Sequence, residues 1–144
     1  MKCEVIIHRD VEEKVVIYAK EDSRLVQEIR QLATGDEGPL IGYKDKEATV
    51  LDPAALVCVS VIGHKVYAVG ETETWQLKER LYALEERLPS CFAKINQSCI
   101  ANLKKIARFD ASISGTLRLH FQNGHTDYVS RRQIKYIKER MGLL

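Results

Sequence analysis

The chain has 144 residues, 45% of them hydrophobic, which is enough for one good core and leaves little room for a second full domain. Charges bracket the short apolar run at the N-terminus and no later run is long enough to cross a membrane, so we expect neither a signal peptide nor a transmembrane span, but a soluble, cytoplasmic protein. Residues 1–90 carry a net charge of −5 (12 Lys and Arg, 17 Asp and Glu) and residues 91–144 a net +7 (10 against 3), and such a basic half attracts polyanions, nucleic acid among them, without reading sequence.

The first 38 residues predict a short β-β-α extension. Strand-prone runs at 4–7 and 14–19 predict two strands, and apolar residues at helical spacing predict a helix over 22–33. Two glycines and a proline then fall within residues 34–39, which indicates a helix stop and a domain boundary near residue 38.

Beyond this boundary the pattern predicts a mostly antiparallel sheet that one helix covers. Asp-Pro, Gly-His-Lys and Gly-Glu-Thr breaks separate short strand-like runs. A helix is predicted over 77–88, with leucines along one stripe and Pro89 as its stop. We expect the stripe to pack on the sheet, with a dimerisation seam as the alternative. The stripe is Leu77, Leu81, Leu84 and Leu88, and the predicted strands are residues 40–44, 48–51, 56–62, 65–69 and 73–76.

The cysteines do not indicate a metal site. Cys3, Cys58, Cys91 and Cys99 include no Cys-x-x-Cys pair, and no His lies at zinc-finger spacing from them. Cys58 lies in an apolar run and is expected to be a reduced, buried thiol that packs as a small hydrophobe. A redox or metal-binding pair of Cys91 and Cys99 is the less favoured alternative under reducing conditions.

A β-hairpin is predicted over 115–129, because Asn123-Gly124 separates two alternating segments. With a two-residue loop, Tyr128 faces inward and His120 lies opposite Asp127. We interpret that pair as a cross-strand surface contact rather than a general acid-base unit, because no nucleophile or second base accompanies it.

The last helix is predicted to begin after Ser130, since Ser130 and Gln133 form the Ser-x-x-Gln pattern of a capping box. Arg131 and Arg132 then occupy the first turn, beside the positive end of the helix dipole. This unfavourable placement suggests an anionic partner, although an exposed and screened Arg-Arg pair is also tolerated, and both interpretations stay open. The residues predicted to face inward are Ile134, Ile137 and Met141.

Residues 92–102 read Phe-Ala-Lys-Ile-Asn-Gln-Ser-Cys-Ile-Ala-Asn, between the leucine-striped helix and the hairpin. Through this run and others in fixed order, the sequence from about residue 42 to 137 resembles the LytTR DNA-binding domain of bacterial transcription regulators, in which the corresponding segment is of the Phe-x-Arg-Ile-His-Arg-Ser-Tyr-Ile-Val-Asn type. The family's Val-Ser-Arg-Arg before a helix is matched at 129–132. Glu-Glu-Arg-Leu-Pro at 85–89 and Asn-Leu-x-x-Ile at 102–106 fit as well, and the order and spacing of these segments carry the resemblance.

The resemblance implies a mostly β (α+β) fold, an elongated antiparallel sheet with one covering helix and a C-terminal helix, whose loops at one edge enter the DNA grooves. His64, Gln97 and Arg132 match base-reading positions in three loops, since a His donates to purine acceptors, an amide pairs with adenine and an arginine fork suits guanine. For Asn102 a role as a turn-former is an equal alternative to a DNA contact. The residues implied for contacts to the DNA backbone are Lys94, Ser98, Asn102, Ser130, Arg131, Gln133 and Lys135.

The chain departs from the family pattern in its central segment. Lys94 stands where the family has Arg, Asn96 and Gln97 stand in place of His-Arg, and Cys99 replaces an aromatic residue. These changes reduce positive charge and bidentate reach. We therefore expect affinity or site preference to differ from the family norm.

We expect a sequence-specific regulator of transcription that binds double-stranded DNA, with an extension over 1–38 and a LytTR-like domain over 39–144. The extension is too short to hold a phospho-receiver domain. The resemblance implies a homodimer on promoter repeats and a separate regulatory membrane protein, and it implies no enzyme activity, cofactor, metal or small-molecule substrate. One alternative is a β-rich interaction or sensor module whose basic half binds an acidic partner. The other is a single-strand or RNA binder, which needs exposed aromatic residues where this chain is expected to turn most of them inward.

Overall fold

The computed structural model describes residues 2–34, 38–111 and 116–143, and within them ten strands form two antiparallel sheets. The strands are β1 (Leu40–Lys44), β2 (Glu47–Leu51), β3 (Cys58–Ile62), β4 (Lys65–Val69), β5 (Thr74–Leu77), β6 (Phe92–Asn96), β7 (Cys99–Asn102), β8 (Ile106–Ala111), β9 (Leu117–Phe121) and β10 (Thr126–Val129). The larger sheet has the order β2-β1-β5-β4-β3-β7-β6, and the smaller one has the order β10-β9-β8.

The described residues also form three α-helices: α1 (Arg24–Thr34), α2 (Leu81–Arg87) and α3 (Arg131–Arg140). The mostly β, α+β architecture predicted from the sequence is confirmed. None of the three is long and apolar enough to cross a bilayer.

Helix α2 packs on one face of the larger sheet. Leu84 is fully buried, and Leu77 and Leu88 are nearly so. They share one core cluster with Val59 of β3 and Ile100 of β7. Burial of one such leucine contributes about 1.5–3 kcal/mol. Core packing of the leucine stripe is confirmed, although the helix is shorter than predicted because Leu77 ends β5.

A second core lies between the larger sheet, the smaller sheet and α3. Ile95 of β6, Leu119 of β9 and Ile137 of α3 belong to it and have no exposed surface. Ile134 and Met141 pack against the same cluster, so the inward face predicted for the last helix is confirmed. This core fixes the start of α3 relative to β6.

Two thiols lie inside this second core. Cys58 and Cys99 are both free and fully buried, which confirms the reduced, buried state expected for Cys58. The neighbouring Cys58 thiol, together with burial, raises the pKa of Cys99, so that thiol stays neutral. The same Cys58 thiol raises the pKa of the His125 imidazole. No group of side chains among the described residues is suited to hold a metal ion.

By its internal contacts the chain divides into two units, Met1–Gly38 and Pro39–Leu144. In the first unit α1 forms, but residues 2–23 contain no strand, so the two strands predicted at 4–7 and 14–19 are wrong. A two-stranded hairpin is marginal in water without a third strand or a helix to cover its apolar face. The predicted β-β-α extension is thus an irregular segment followed by one helix.

The β9–β10 hairpin turns through three residues, not the two predicted. The Phe121 N–H donates to the His125 carbonyl at 2.8 Å, and the Gly124 N–H donates to the Phe121 carbonyl at 3.0 Å. Gly124 has a φ of +89°, the left-handed conformation that closes a three-residue loop. Strand pairing is therefore shifted by one residue.

This shift exchanges the two faces of β10. His120 lies opposite Thr126, so the predicted His120–Asp127 pair is wrong, and His120 Nε2 instead lies 3.8 Å from Asp110 Oδ2. Tyr128, which was predicted to face inward, is 56% exposed. Asp127 takes the inward-facing position and can reach the end of β6.

Candidate nucleic-acid interface

The first loop of the candidate interface is a two-residue turn between β3 and β4. Ile62 pairs with Lys65 across it, and Gly63 and His64 have φ values of +56° and +70°. Positive φ at both central positions is the type I′ geometry that suits a tight hairpin. Holding a non-glycine residue in this conformation costs about 1–2 kcal/mol. The turn therefore presents the exposed imidazole of His64 at a cost in stability.

The second loop is the turn at Gln97 and Ser98 between β6 and β7, and both side chains are exposed. The Val61 N–H donates to the Ser98 carbonyl at 2.8 Å, which continues the pairing of β3 with β7. Because β3 leads directly into the His64 turn, the two turns lie side by side at one end of the larger sheet.

The third loop is the junction between β10 and α3. The Ser130 N–H donates to the Ile95 carbonyl at 2.8 Å, which joins this junction to the end of β6. Arg131 and Arg132 follow in the first turn of α3, and both are exposed. The helix begins after Ser130 as predicted, but the predicted capping box is wrong, since the Ser130 side chain makes no capping hydrogen bond and only its carbonyl accepts, from the Gln133 N–H at 2.9 Å.

A buried asparagine connects the second loop with the third. Asn96, at the end of β6, is 3% exposed. Its amide donates to Asp127 Oδ1 at 3.0 Å and to the Tyr128 carbonyl at 2.8 Å, while its oxygen accepts from the Ser98 N–H at 2.8 Å. The end of β6, the Gln97 turn and the end of β10 are thereby held as one unit.

The cations on and beside these loops form no ion pair with a carboxylate of the described residues. This group consists of Lys65, Lys94, Arg131, Arg132 and Lys135. Some cations away from the loops are paired, for example Lys105 Nζ with Glu71 Oε1 at 3.1 Å and Lys44 Nζ with Glu73 Oε1 at 3.7 Å. Uncompensated positive charge at one end of a sheet is suited to a polyanion such as DNA.

Residues 46–142 match the family model of the LytTr DNA-binding domain. The chain belongs to this family. A LytTR domain was the resemblance expected from the sequence, and it is confirmed. An uncharacterised HTH-type transcriptional regulator of Staphylococcus aureus strain NCTC 8325 / PS 47 is 36% identical over 104 residues, which are 72% of this chain and 71% of that protein. The counterpart in strain MRSA252 is 36% identical over the same length.

A solved LytTr DNA-binding domain from Bacillus cereus has the same fold. It aligns with a TM-score of 0.68 at 20% sequence identity, over 74% of this chain and 98% of that domain. The names of the staphylococcal relatives contain the term HTH, yet the LytTR unit of this chain (Pro39–Leu144) is built differently. Helices α2 and α3 are separated along the chain by the five strands β6 to β10, so they do not form a helix-turn-helix pair.

The LytTR unit brings the three residues predicted to read bases onto neighbouring loops. His64, Gln97 and Arg132 are all exposed there. The residues predicted to contact the DNA backbone fall on the same loops or the elements that follow them: Ser98, Ser130 and Arg131 on the loops, Lys94 half-buried on β6, and Gln133 half-buried and Lys135 exposed on α3.

Asn102 does not lie near the three loops of the LytTR unit. It ends β7 at the other end of the strand and is 1% exposed. Its amide donates to the Leu56 carbonyl at 2.8 Å, and its oxygen accepts from the Lys104 N–H at 3.1 Å. A side chain buried in this way offers no donor to a phosphate. Its position therefore argues against the predicted DNA contact and supports the alternative role of a turn-former.

Two residues beside the three loops were not identified from the sequence. Lys65 follows the His64 turn and is exposed, and its place directly beside a loop at the sheet end was the available signal. Asn96 was interpreted only as a loss of charge. Its partner Asp127 lies 31 residues away, and their contact depends on the register of the β9–β10 hairpin, so no local signal could have shown it.

Replacing His64 with Gly is expected to raise stability while lowering DNA affinity. Relief of about 1–2 kcal/mol of left-handed strain exceeds the roughly 0.5–1 kcal/mol that the more flexible unfolded chain costs, so the free energy of unfolding should rise by about 0.5–1 kcal/mol. Urea melts and fluorescence anisotropy with a cognate duplex measure the two effects. Asp45→Gly is the matched control, because Asp45 has a φ of +54° in the β1–β2 turn and should gain stability with DNA affinity unchanged.

Proposed function

We propose that this chain regulates transcription by binding specific sequences of double-stranded DNA through the three loops at one end of its larger sheet. The observation that carries this proposal is the hydrogen-bonded assembly of these loops, surrounded by cations that lack carboxylate partners among the described residues. A LytTR domain is a DNA-binding domain, and the staphylococcal relatives are named transcriptional regulators.

In this proposal three side chains read bases. Arg132 offers a planar fork of donors that suits O6 and N7 of guanine, and Gln97 offers an amide that pairs with N6 and N7 of adenine. His64 donates from its ring to a purine acceptor. Each is exposed on a backbone that hydrogen bonds or strand pairing hold in place, which reduces the entropy lost on binding.

Contacts to phosphates position the protein without reading sequence. We assign this role to side chains on the loops, on β6 and on the first turns of α3. Because Asn102 is buried, we leave it out of this set. The proposed residues are Lys94, Ser98, Ser130, Arg131, Gln133 and Lys135, to which the structure adds Lys65.

The proposed organisation has residues 1–38 as an extension and residues 39–144 as the DNA-binding unit. We further propose a homodimer on promoter repeats, regulation by a separate membrane protein, and no enzymatic role. A protein that acts on bacterial promoters works in the cytoplasm, where we place this chain. These points stay predictions.

A single-stranded nucleic acid is the second candidate ligand, and one observation favours it. Tyr128, which had been expected to face inward, and Tyr136 are both exposed in the basic half, and exposed aromatic rings can stack on unpaired bases. The Tyr136 side chain already has an internal partner, however, because Arg140 lies over its ring at 5.6 Å and donates to its hydroxyl at 2.7 Å. Duplex DNA therefore remains the better supported ligand.

Selection from random duplexes followed by anisotropy titration tests the proposal. The selected duplex should bind at least about 1,000-fold more tightly than a scrambled duplex at moderate salt, in line with the lower end of the range of specific over non-specific binding. The corresponding single strands serve as competitors. Equal binding of selected and scrambled duplexes would contradict sequence-specific binding, and stronger binding of the single strands would favour the second candidate.

Lys94→Ala is expected to weaken binding to every duplex alike. The loss of one phosphate contact should reduce the slope of log K against log salt concentration by about one unit, since each neutralised phosphate contributes about 0.9. Titrations at several salt concentrations measure the slope. Lys105→Ala is the matched control, because Lys105 pairs with Glu71 after the far end of β7 and should leave the slope unchanged.

A further inference from the structure

Exposed apolar side chains concentrate in the unit Met1–Gly38. Of the 15 large hydrophobic side chains that are exposed in the described residues, nine lie between residues 5 and 32. Ile7, Tyr18 and Leu32 are 94%, 95% and 83% exposed. Single exposed hydrophobic residues are normal on a protein surface, but such a density within about 30 residues marks a surface that another molecule covers.

This unit also contains two strand-prone runs without partner strands. The runs at 4–7 and 14–19 have the β-branched composition of strands, yet no strand forms within residues 2–23. Together the two runs make at most a two-stranded sheet, which is marginal in water without a third strand or a helix to cover its apolar face. A second copy of the chain would supply two more strands and a second α1, which passes that threshold.

The charges of these runs favour a second copy over a strongly charged partner. Residues 2–9 contain two Lys or Arg and one Glu, a net charge of +1, while residues 12–22 contain two Lys and four Asp or Glu, a net charge of −2. The first run of one copy is therefore complementary to the second run of another. Residues 2–34 contain six cations and seven anions, so this segment as a whole has no strong field to attract an acidic or a basic partner.

We infer that the unit Met1–Gly38 is the self-association surface of this protein. Two copies pair their strand-prone runs into one four-stranded sheet, whose apolar face the two α1 helices cover. This inference deepens the proposed function, since it rests on the proposed homodimer and locates its interface.

Sedimentation velocity on the full chain without DNA tests this interface. The wild type should sediment as a dimer of the 16.4 kDa chain at micromolar concentration. Ile7→Asp and Val15→Asp should each raise the dimer dissociation constant by about 10- to 100-fold, because each places a charge where an apolar side chain would be buried. Hydrogen exchange at dimeric concentration should protect the amides of residues 4–7 and 14–19.

Val50→Asp is the matched control, because Val50 is 67% exposed on β2 of the other unit and should leave the dimer intact. A monomeric wild type at 100 µM, equal dissociation by Val50→Asp, or unprotected amides at 4–7 and 14–19 would each overturn the inference. Binding to a duplex with a single half-site separates the two proposals. Ile7→Asp should bind it as the wild type does, whereas absence of binding by both proteins would count against the proposed function and leave the sedimentation result standing.

Discussion

Replacing Arg132 with Ala is expected to relax the choice of base at one position of the operator at a cost of about 1–3 kcal/mol for the cognate duplex. Arg132 is exposed in the first turn of α3, and the Ser130–Ile95 hydrogen bond fixes this turn beside the Gln97 loop. Its side chain forms no ion pair within the described residues, so no internal interaction competes with DNA. Selection from random duplexes with wild type and variant measures the change.

Arg132→Lys is the control that separates charge from geometry. Lysine keeps the positive charge but lacks the planar pair of donors that a guanine edge requires. The salt dependence of binding should therefore stay close to wild type in Arg132→Lys, while discrimination at the affected position falls nearly as far as in Arg132→Ala. An unchanged selected motif in both variants would show that Arg132 contacts phosphate only.

The elements of the LytTR unit were predictable from the sequence where a local pattern determined them. The leucine stripe identified α2 and its buried face, and Ile134, Ile137 and Met141 identified the inward face of α3. In both helices the apolar spacing matches the helical repeat, and burial follows directly from it. The error at the start of α2, where Leu77 lies in a strand, moved an element boundary and left the core assignment intact.

Where a local pattern fits two backbones, the sequence could not decide between them. Asn123-Gly124 marks a hairpin, but a glycine with positive φ serves both a two-residue and a three-residue loop. The choice between these loops shifts the strand by one residue, and that shift decides whether Tyr128 or Asp127 faces inward. Strand-prone composition at 4–7 and 14–19 failed for a related reason, because a strand also needs a partner.

The candidate site shows the same limit. Its residues came from the family resemblance, which aligned His64, Gln97 and Arg132 with base-reading positions. The hydrogen bonds that assemble them join residues far apart in sequence, such as Ser130 with Ile95. Asn102 illustrates the converse, since a matched motif position is buried, which argues against a contact with DNA. Motif position alone therefore does not distinguish a residue that binds from one that supports the fold.

Replacing Asn96 with Ala is expected to lower both stability and sequence discrimination. The change removes three hydrogen bonds, to Asp127, to the Tyr128 carbonyl and from the Ser98 N–H, in a position that is 3% exposed. Buried groups left without partners cost about 1–3 kcal/mol each before relaxation, so the free energy of unfolding should fall by about 2–4 kcal/mol. Urea melts measure this loss.

Discrimination should fall because Asn96 joins the Gln97 turn to the end of β10, which leads into Arg132. Freed from each other, the two loops must lose entropy on binding that the native structure has already lost. The ratio of cognate to scrambled affinity should therefore decrease by about tenfold, while the salt dependence stays unchanged because no phosphate contact is removed.

Asn123→Ala is the matched control. Asn123 likewise donates to a carbonyl, that of Gly70 at 3.1 Å, and accepts from the His125 N–H at 2.9 Å. It lies in the β9–β10 loop, so it should lose stability and keep discrimination. Equal discrimination in both variants would show that Asn96 stabilises the fold without positioning the loops.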